Sequence, residues 1–202
     1  ERDRARHGPL QRGGVGLDLG RLLEESGAVL KGHFVLTSGR HSDTYFEKFR
    51  VLEQPNVLSA LCAEIAAAFR DADIQIVAGP TTGGIIIAFE VARQMGLPAL
   101  YVETENGQKT LRRGATVPEG ARILVVDDVL TTGLSVRETI QALQHRGGQV
   151  VGVGVLIDRA TQDPGFGVPM HAAYKVEAAS YAPDELPADL ALIPVRKPGT
   201  RT

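Results

Sequence analysis

The chain has 202 residues, 43% hydrophobic and 23% charged, which fits one soluble globular domain with a substantial core. A net charge of −2 and an aromatic content of 5%, with no Trp, provide neither the electrostatic footprint nor the stacking platforms of a nucleic-acid binder, nor any pull toward an anionic membrane. No apolar run reaches the roughly 18 residues of a membrane span, and the single cysteine, Cys62, excludes an internal disulfide and points to a reducing cytoplasm.

Residues 1–16, ERDRARHGPLQRGGVG, are basic and glycine-rich without an apolar h-region, so they read as a disordered tail and not as a secretory signal. Glu1 and Asp3 argue against a transit peptide. Leu19, Leu22 and Leu23 predict a helix over about 18–27, with Gly27 as its stop. HFVLTSGRHSDTYFEKFRVL reads as two extended pieces around a Ser-Gly turn. NVLSALCAEIAAAFRDA predicts a helix, because Leu58, Leu61, Cys62, Ile65 and Phe69 form one apolar stripe after a Pro55-Asn56 start. Cys62 is then a small core residue.

From residue 74 strands and helices alternate. IQIVAG is a strand, GPTTGG a turn, and IIIAFEVARQMG a helix stopped by Gly96. PALYVET and RILVVD are strands, a helix runs from about Ser135 to Arg146, and QVVGVGVLID is a further strand. Each strand is apolar on both faces, which predicts an α/β domain with a mostly parallel sheet flanked by helices. Asn106-Gly107 breaks the alternation with a hairpin signal, so the strand at 99–104 turns back as KTLRRG. This hairpin carries Lys109, Arg112 and Arg113, has little apolar content, and should project and move. The C-terminal YAPDELPADLALIPVRKPGTRT is proline-punctuated and should wrap the surface.

The chemistry concentrates in RILVVDDVLTTGLSVRETI, residues 122–140. Asp127 and Asp128 stand at a strand's carboxyl end, where open α/β sheets bind ligands. Ser135 and Glu138 form an S-x-x-E capping box for the next helix. Before it, Val129, Leu130, Thr131, Thr132, Gly133, Leu134 and Ser135 offer backbone N–H groups, three hydroxyls and a flexible glycine. Such a helix start binds a phosphate monoester without a lysine. Ionised carboxylates only accept hydrogen bonds, and a ribose diol presents two donors near its 5-phosphate. The pair therefore matches a ribose 5-phosphate, and it could also hold Mg²⁺ or its waters. An ordinary βα turn would explain two aspartates alone, but not the whole string. A nucleotide triphosphatase would need G-x-x-x-x-G-K-[ST], and GPTTGGII has no lysine.

ILVVDDVLTTGLS resembles the phosphoribosyl-pyrophosphate (PRPP) signature of type I phosphoribosyltransferases. GHFVLTSGRHSDTYF is similar to the N-terminal hood of the orotate phosphoribosyltransferases, GPTTGG to their pyrophosphate loop, and LIDRA to the segment carrying their orotate arginine. The resemblance covers about residues 18–182 and implies the type I phosphoribosyltransferase fold, with a hood at about 17–50, a core at about 51–182 and a mobile hairpin. It implies orotate and PRPP as substrates, orotidine 5′-phosphate and pyrophosphate as products, and Mg²⁺ as cofactor. It assigns residues 127–135 to PRPP and Thr131, Arg159, Tyr45 and Phe46 to orotate. Thr81, Thr82 and Gly83 fall in the pyrophosphate loop. Asp128 and Lys109 become the catalytic candidates, and Asp127 and Asp128 the metal contacts, through water. A homodimer is implied, with the hairpin at about 103–114 completing the neighbour's site.

Three departures stand out. Thr37 replaces the lysine before SGR in better-known members, Thr82 and Gly83 replace a tyrosine and a lysine, and the mobile loop begins at Glu103-Thr104 where they have basic residues. Either Lys109, Arg112, Arg113 and Arg40 replace the lost cations, or activity is low, or the base differs. A purine phosphoribosyltransferase and a PRPP-sensing regulator without turnover are the alternatives. His41 reads as a turn residue.

Overall fold

The computed structural model describes residues 18–36, 39–111, 114–176 and 179–197. The expected N-terminal tail, Thr37, Arg112 and Arg113 lie outside the described residues.

Helix α1 (Leu19–Glu25) starts where the Asp18 carboxylate accepts the Arg21 N–H at 3.0 Å. Strands β1 (Val29–Val35) and β2 (His41–Phe46) pair antiparallel, as the two extended pieces require. The expected extended run past Phe46 is corrected: Lys48–Leu52 is a short helix, α2. Its first turn is held by Glu47, whose carboxylate accepts the Phe49 N–H, and by Val51, which is buried. Helix α3 (Pro55–Ala68) has proline at its start and buries Leu58, Leu61, Cys62 and Ile65, the predicted stripe. Burial pushes the Cys62 thiol up to about 12, with Glu90 adding to the effect, so it is an inert core group.

Strand β3 (Ile76–Pro80), helix α4 (Gly83–Met95), β4 (Ala99–Glu105), β5 (Gln108–Thr110), β6 (Arg122–Leu130), α5 (Leu134–Gln144) and β7 (Gln149–Asp158) follow the predicted order. Asn106 and Gly107 both have positive φ, 50° and 80°, which is the backbone of a tight hairpin between β4 and β5. Strand β8 (Met170–Lys175) extends the sheet beyond the expected set. The order is β5-β4-β3-β6-β7-β8, parallel except for β5, so β6 is central.

Side-chain alternation along the strands divides the core in two. Val77, Leu124, Val126 and Leu156 face α3 and α4, whereas Ile76, Ala78, Ile123 and Val125 face α5. Gly152 and Gly154 let α3 approach β7 closely. A Cβ on them would lie 2.4 Å from Phe69 and from Ile65.

The C-terminal expectation is corrected. Instead of only wrapping the surface, β9 (Ser180–Tyr181) and β10 (Val195–Arg196) join β1 and β2 in a second sheet of order β10-β1-β2-β9, with helix α6 (Ala188–Ala191) between them. Arg40 fastens β9 by donating to the Ser180 hydroxyl and carbonyl at 3.0 and 2.6 Å. His33 fastens the other edge, with Nδ1 3.0 Å from the Ile193 carbonyl and Nε2 2.6 Å from His41 Nδ1. His41 opens β2 and is not a turn residue. Among the described residues no helix is long and apolar enough to cross a membrane.

Candidate active site

Strand β6 carries the two aspartates toward the carboxyl edge of the sheet and runs on to Leu130, three residues beyond Asp127. It stays paired with β7 over this stretch, Asp127 opposite Val155 and Leu130 opposite Asp158. Both carboxylates are nearly buried, at 7% and 8% exposure. Each is held by the next backbone amide: Asp128 N–H donates to Asp127 Oδ1 at 2.8 Å, and Val129 N–H to Asp128 Oδ1 at 2.7 Å. Burial, with the neighbouring Asp128 charge, pushes the Asp127 carboxyl up to about 6. The amide bond, the Ser135 hydroxyl and Lys48 oppose that rise without cancelling it.

Lys48 supplies the charge that the sequence reading did not foresee. Its Nζ lies 2.8 Å from Asp128 Oδ2, reaching from α2 to the core. Burial works against the ammonium, yet the bond to Asp128 and the charges of Asp128, Asp127 and Tyr45 outweigh it and raise the Lys48 pKa.

The turn after β6 is built as a cradle. Thr131 and Thr132 are exposed, and Gly133 begins α5 with φ of 77°. This corrects the capping box: Gly133 is the cap, no side chain caps the helix, and Ser135 lies inside the first turn. Ser135 turns instead to Asp127, so the hydroxyl serves the carboxylate pair. The Leu134 N–H, the first of α5, donates to the Thr132 hydroxyl at 3.4 Å, and the amides that follow it belong to a helix start of the kind that takes an anion. Gly133 is required twice, by its φ and because a Cβ there would meet Phe166 at 2.9 Å. Arg137 braces the turn, donating to Thr132 O at 3.1 Å and to Pro164 O, with its guanidinium 5.6 Å from the Phe166 ring. Arg137 also went unforeseen, since its partner Pro164 lies 27 positions away.

A second turn, Thr81–Gly83, enters α4 beside the first. The Thr81–Thr82 peptide is cis. Three glycines make the turn compact: a Cβ on Gly79 would sit 2.2 Å from Gly84 O, one on Gly84 2.6 Å from Pro80, and one on Gly83 2.3 Å from Asp128 Oδ2. The loop thus presses its backbone against the aspartates.

Arg159 follows the end of β7, and its N–H donates to Leu130 O at 2.9 Å, beside the cradle. Burial lowers its pKa, with Tyr45 acting in the opposite sense. Burial likewise raises the Tyr45 hydroxyl, together with Glu47, against Arg159 and Lys48. The hood's Tyr45 and the core's Arg159 therefore share one electrostatic neighbourhood. Phe46 does not join them. It is 6% exposed and packed into the core. Lys109 stands on the outer strand β5, opposite Thr104. The described ion pair to the aspartates comes from Lys48.

For Mg²⁺ the donor set is partial. Among the described residues no group of three or more His, Cys, Asp or Glu side chains could hold a metal. Two adjacent carboxylates suit Mg²⁺ nonetheless, because that ion retains waters and completes its shell on substrate phosphates.

Residues 50–164 match the phosphoribosyl transferase domain family. The chain is 48% identical over 180 residues to the orotate phosphoribosyltransferase of Pelotomaculum thermopropionicum, covering 89% of this chain and 95% of that one. It is 44% identical over 180 residues to the orotate phosphoribosyltransferase of Desulforamulus reducens, with 89% and 94% covered. The crystal structure of orotate phosphoribosyltransferase from Aeropyrum pernix superposes with a TM-score of 0.67 at 31% identity, over 79% of this chain and 94% of that one. With the strand-aspartate-turn-helix cradle and Arg159 beside it, these likenesses place the chain in the orotate phosphoribosyltransferase family of type I phosphoribosyltransferases.

Proposed function

We propose that this site transfers the 5-phosphoribosyl group of PRPP to orotate, giving orotidine 5′-phosphate and pyrophosphate for pyrimidine synthesis. The observation that carries the reading is the join between the cradle and the next strand. The Arg159 backbone N–H bonds Leu130 O at 2.9 Å, so the residue proposed to bind a carboxylate is anchored beside the phosphosugar turn, and its charge is felt by Tyr45 of the hood. The α5 amides, Thr131, Thr132 and Ser135 take the 5′-phosphate, and Asp127 and Asp128 accept from the ribose diol. Arg159 grips the orotate carboxylate, with Tyr45 beside it and Thr131 within the base site. The bond from C1′ to pyrophosphate breaks with oxocarbenium character while N1 of orotate approaches. The chain's part is to align the two reactants and exclude water. Thr81, Thr82 and Gly83 present backbone to the departing group. Mg²⁺, held by Asp127 and Asp128 through water, would supply charge neutralisation on the pyrophosphate.

The working unit is a homodimer in the cytoplasm. Phe49, Ile86 and Phe89 are 59%, 42% and 63% exposed, and large apolar groups so placed on neighbouring helices favour a second copy. The hairpin then carries Lys109 toward the neighbour's site. Nothing in the net charge of −2 favours nucleic acid. The decisive assay follows turnover with PRPP and Mg²⁺ against orotate, uracil, adenine, hypoxanthine and xanthine. Turnover confined to orotate is expected, and turnover of a purine in its place would overturn the reading.

A further inference from the structure

Resting on that reading, we propose that Lys48 is a pyrophosphate-binding residue: a hood cation that neutralises Asp128 in the free protein and passes to the pyrophosphate of bound PRPP. The pyrophosphate loop Thr81–Gly83 carries no cation of its own, and at Gly83 it lies against the buried Asp128 carboxylate, whose neighbour Asp127 is buried as well. A ligand bearing several negative charges cannot enter such a place without a counter-charge. Among the described residues, Lys48 makes the ion pair to Asp128.

The geometry puts Lys48 where both tasks meet. Asp128 Oδ2 takes the ammonium at 2.8 Å, and the same oxygen would be 2.3 Å from a Cβ on Gly83. The ammonium, the carboxylate and the first residue of α4 therefore converge. Beside Gly83 a cleft of about 230 Å³ opens between α2 and α4, lined by Phe49, Leu52, Glu53, Thr82, Gly83 and Ile86, with Lys48 and Asp128 next to its lining and not part of it. Lys48 precedes Phe49 and keeps 42% of its side chain exposed, so its stem is free to move. Lysine suits the exchange. It is a point charge on a flexible chain and needs no fixed fork to change partners. When the ribose diol donates to Asp128, the carboxylate has new partners and the ammonium is released toward the leaving group.

The test measures binding of inorganic pyrophosphate and of ribose 5-phosphate, with Mg²⁺, to full-length wild type, Lys48→Met, Lys48→Gln and Lys48→Arg. Lys48→Met should weaken pyrophosphate by about tenfold or more, the scale of one charged hydrogen bond, and leave ribose 5-phosphate close to wild type. Lys48→Arg should recover most of the loss. Lys48→Gln keeps a donor for Asp128 without the charge, and it should behave as Lys48→Met does. Unchanged pyrophosphate affinity in both uncharged variants overturns the proposal. Equal weakening of both ligands also overturns it, because Lys48 would then only strut the hood. Wild-type turnover of orotate tests the activity separately: turnover with unchanged pyrophosphate binding in the variants leaves the activity standing and removes Lys48 from it. Wild type that binds neither ligand overturns both.

Discussion

The cradle and the hood meet at one site but are built in opposite ways. The cradle is local: strand, aspartates, turn and helix occupy residues 122–144 without interruption. The hood sheet is assembled from β1 and β2 near one end of the chain and from β9 and β10 near the other. Its contact between His33 and Ile193 spans 160 positions. The part proposed to hold the sugar phosphate is thus one contiguous segment, and the part proposed to frame the base depends on chain closure. Perturbations should divide accordingly. Cradle variants should lose PRPP and keep the fold, whereas variants within the hood sheet, which does not include Lys48 of α2, should lose stability and base affinity and keep PRPP.

The largest effect is expected from Asp127→Asn combined with Asp128→Asn. Each side chain loses its charge and one of its two acceptor oxygens and gains an NH2 donor that faces the proposed ribose diol, and kcat/KM should fall by about 10³-fold or more, as when preorganised groups at a reacting centre are removed. Circular dichroism should remain unchanged, and undiminished PRPP affinity would sink the ribose assignment. The single variant Asp127→Asn also has a pH signature. The folded-state carboxyl sits at about 6 against an ordinary 3.8. The folded protein therefore binds the proton more tightly than the unfolded chain. The corresponding stability is fully present below pH 3.8 and is lost as pH rises through 6. Its size is up to about 3 kcal/mol. Wild type should lose this margin between those pH values in denaturant titrations, and Asp127→Asn should not. Equal slopes in the two proteins would contradict the burial argument.

Arg159→Ala comes next and sharpens the contrast between sugar and base. Losing a charged two-bond contact should raise the orotate KM by about 10- to 100-fold, with PRPP changed little. Equal weakening of both substrates would mean that Arg159 holds something else. Gly133→Ala is the smaller cradle test. A Cβ at φ 77° costs about 1–2 kcal/mol, and it would press on Phe166 at 2.9 Å. Thermal melting should register that cost, and PRPP affinity should fall with it. A variant that melts and binds as wild type does would show that the turn tolerates a side chain.

The same division explains what the sequence made legible. Asp127, Asp128 and Thr131–Ser135 were readable because a short contiguous string sets their relation. Helices α3 and α4 were readable because apolar spacing sets theirs. The cap of α5 was misread: S-x-x-E is a side-chain pattern, but the positive φ of Gly133 moves the helix start forward and turns Ser135 to Asp127. Lys48 was invisible because its partner lies 80 positions away, and nothing in FEKFRVL marks a helix too short to show periodicity. Phe46 packs into the core, and in sequence an aromatic beside a tyrosine looks the same whether it faces a ligand or the core. Strands β9 and β10, of two residues each, have no alternation to detect.

His33→Ala breaks the hood at its least legible joint and should have the smallest effect on activity. The Ile193 carbonyl can only accept, so His33 Nδ1 carries the hydrogen on that side. In that tautomer His33 Nε2 is an acceptor, and His41 Nδ1–H donates to it at 2.6 Å. The ring is 2% exposed, and its removal leaves the Ile193 carbonyl and His41 without this partner inside the sheet. Losing two buried hydrogen bonds should cost about 1–3 kcal/mol, read as a lower melting temperature. The β1–β10 edge should show faster amide exchange at Val195 and Arg196. Orotate KM should rise only a few-fold and PRPP should be untouched, because the cradle's hydrogen bonds do not pass through this sheet. If PRPP affinity fell as far as orotate affinity, the two halves would be one mechanical unit. The contrast between a local cradle and a closed hood would then describe only how the chain is connected, not how the site works.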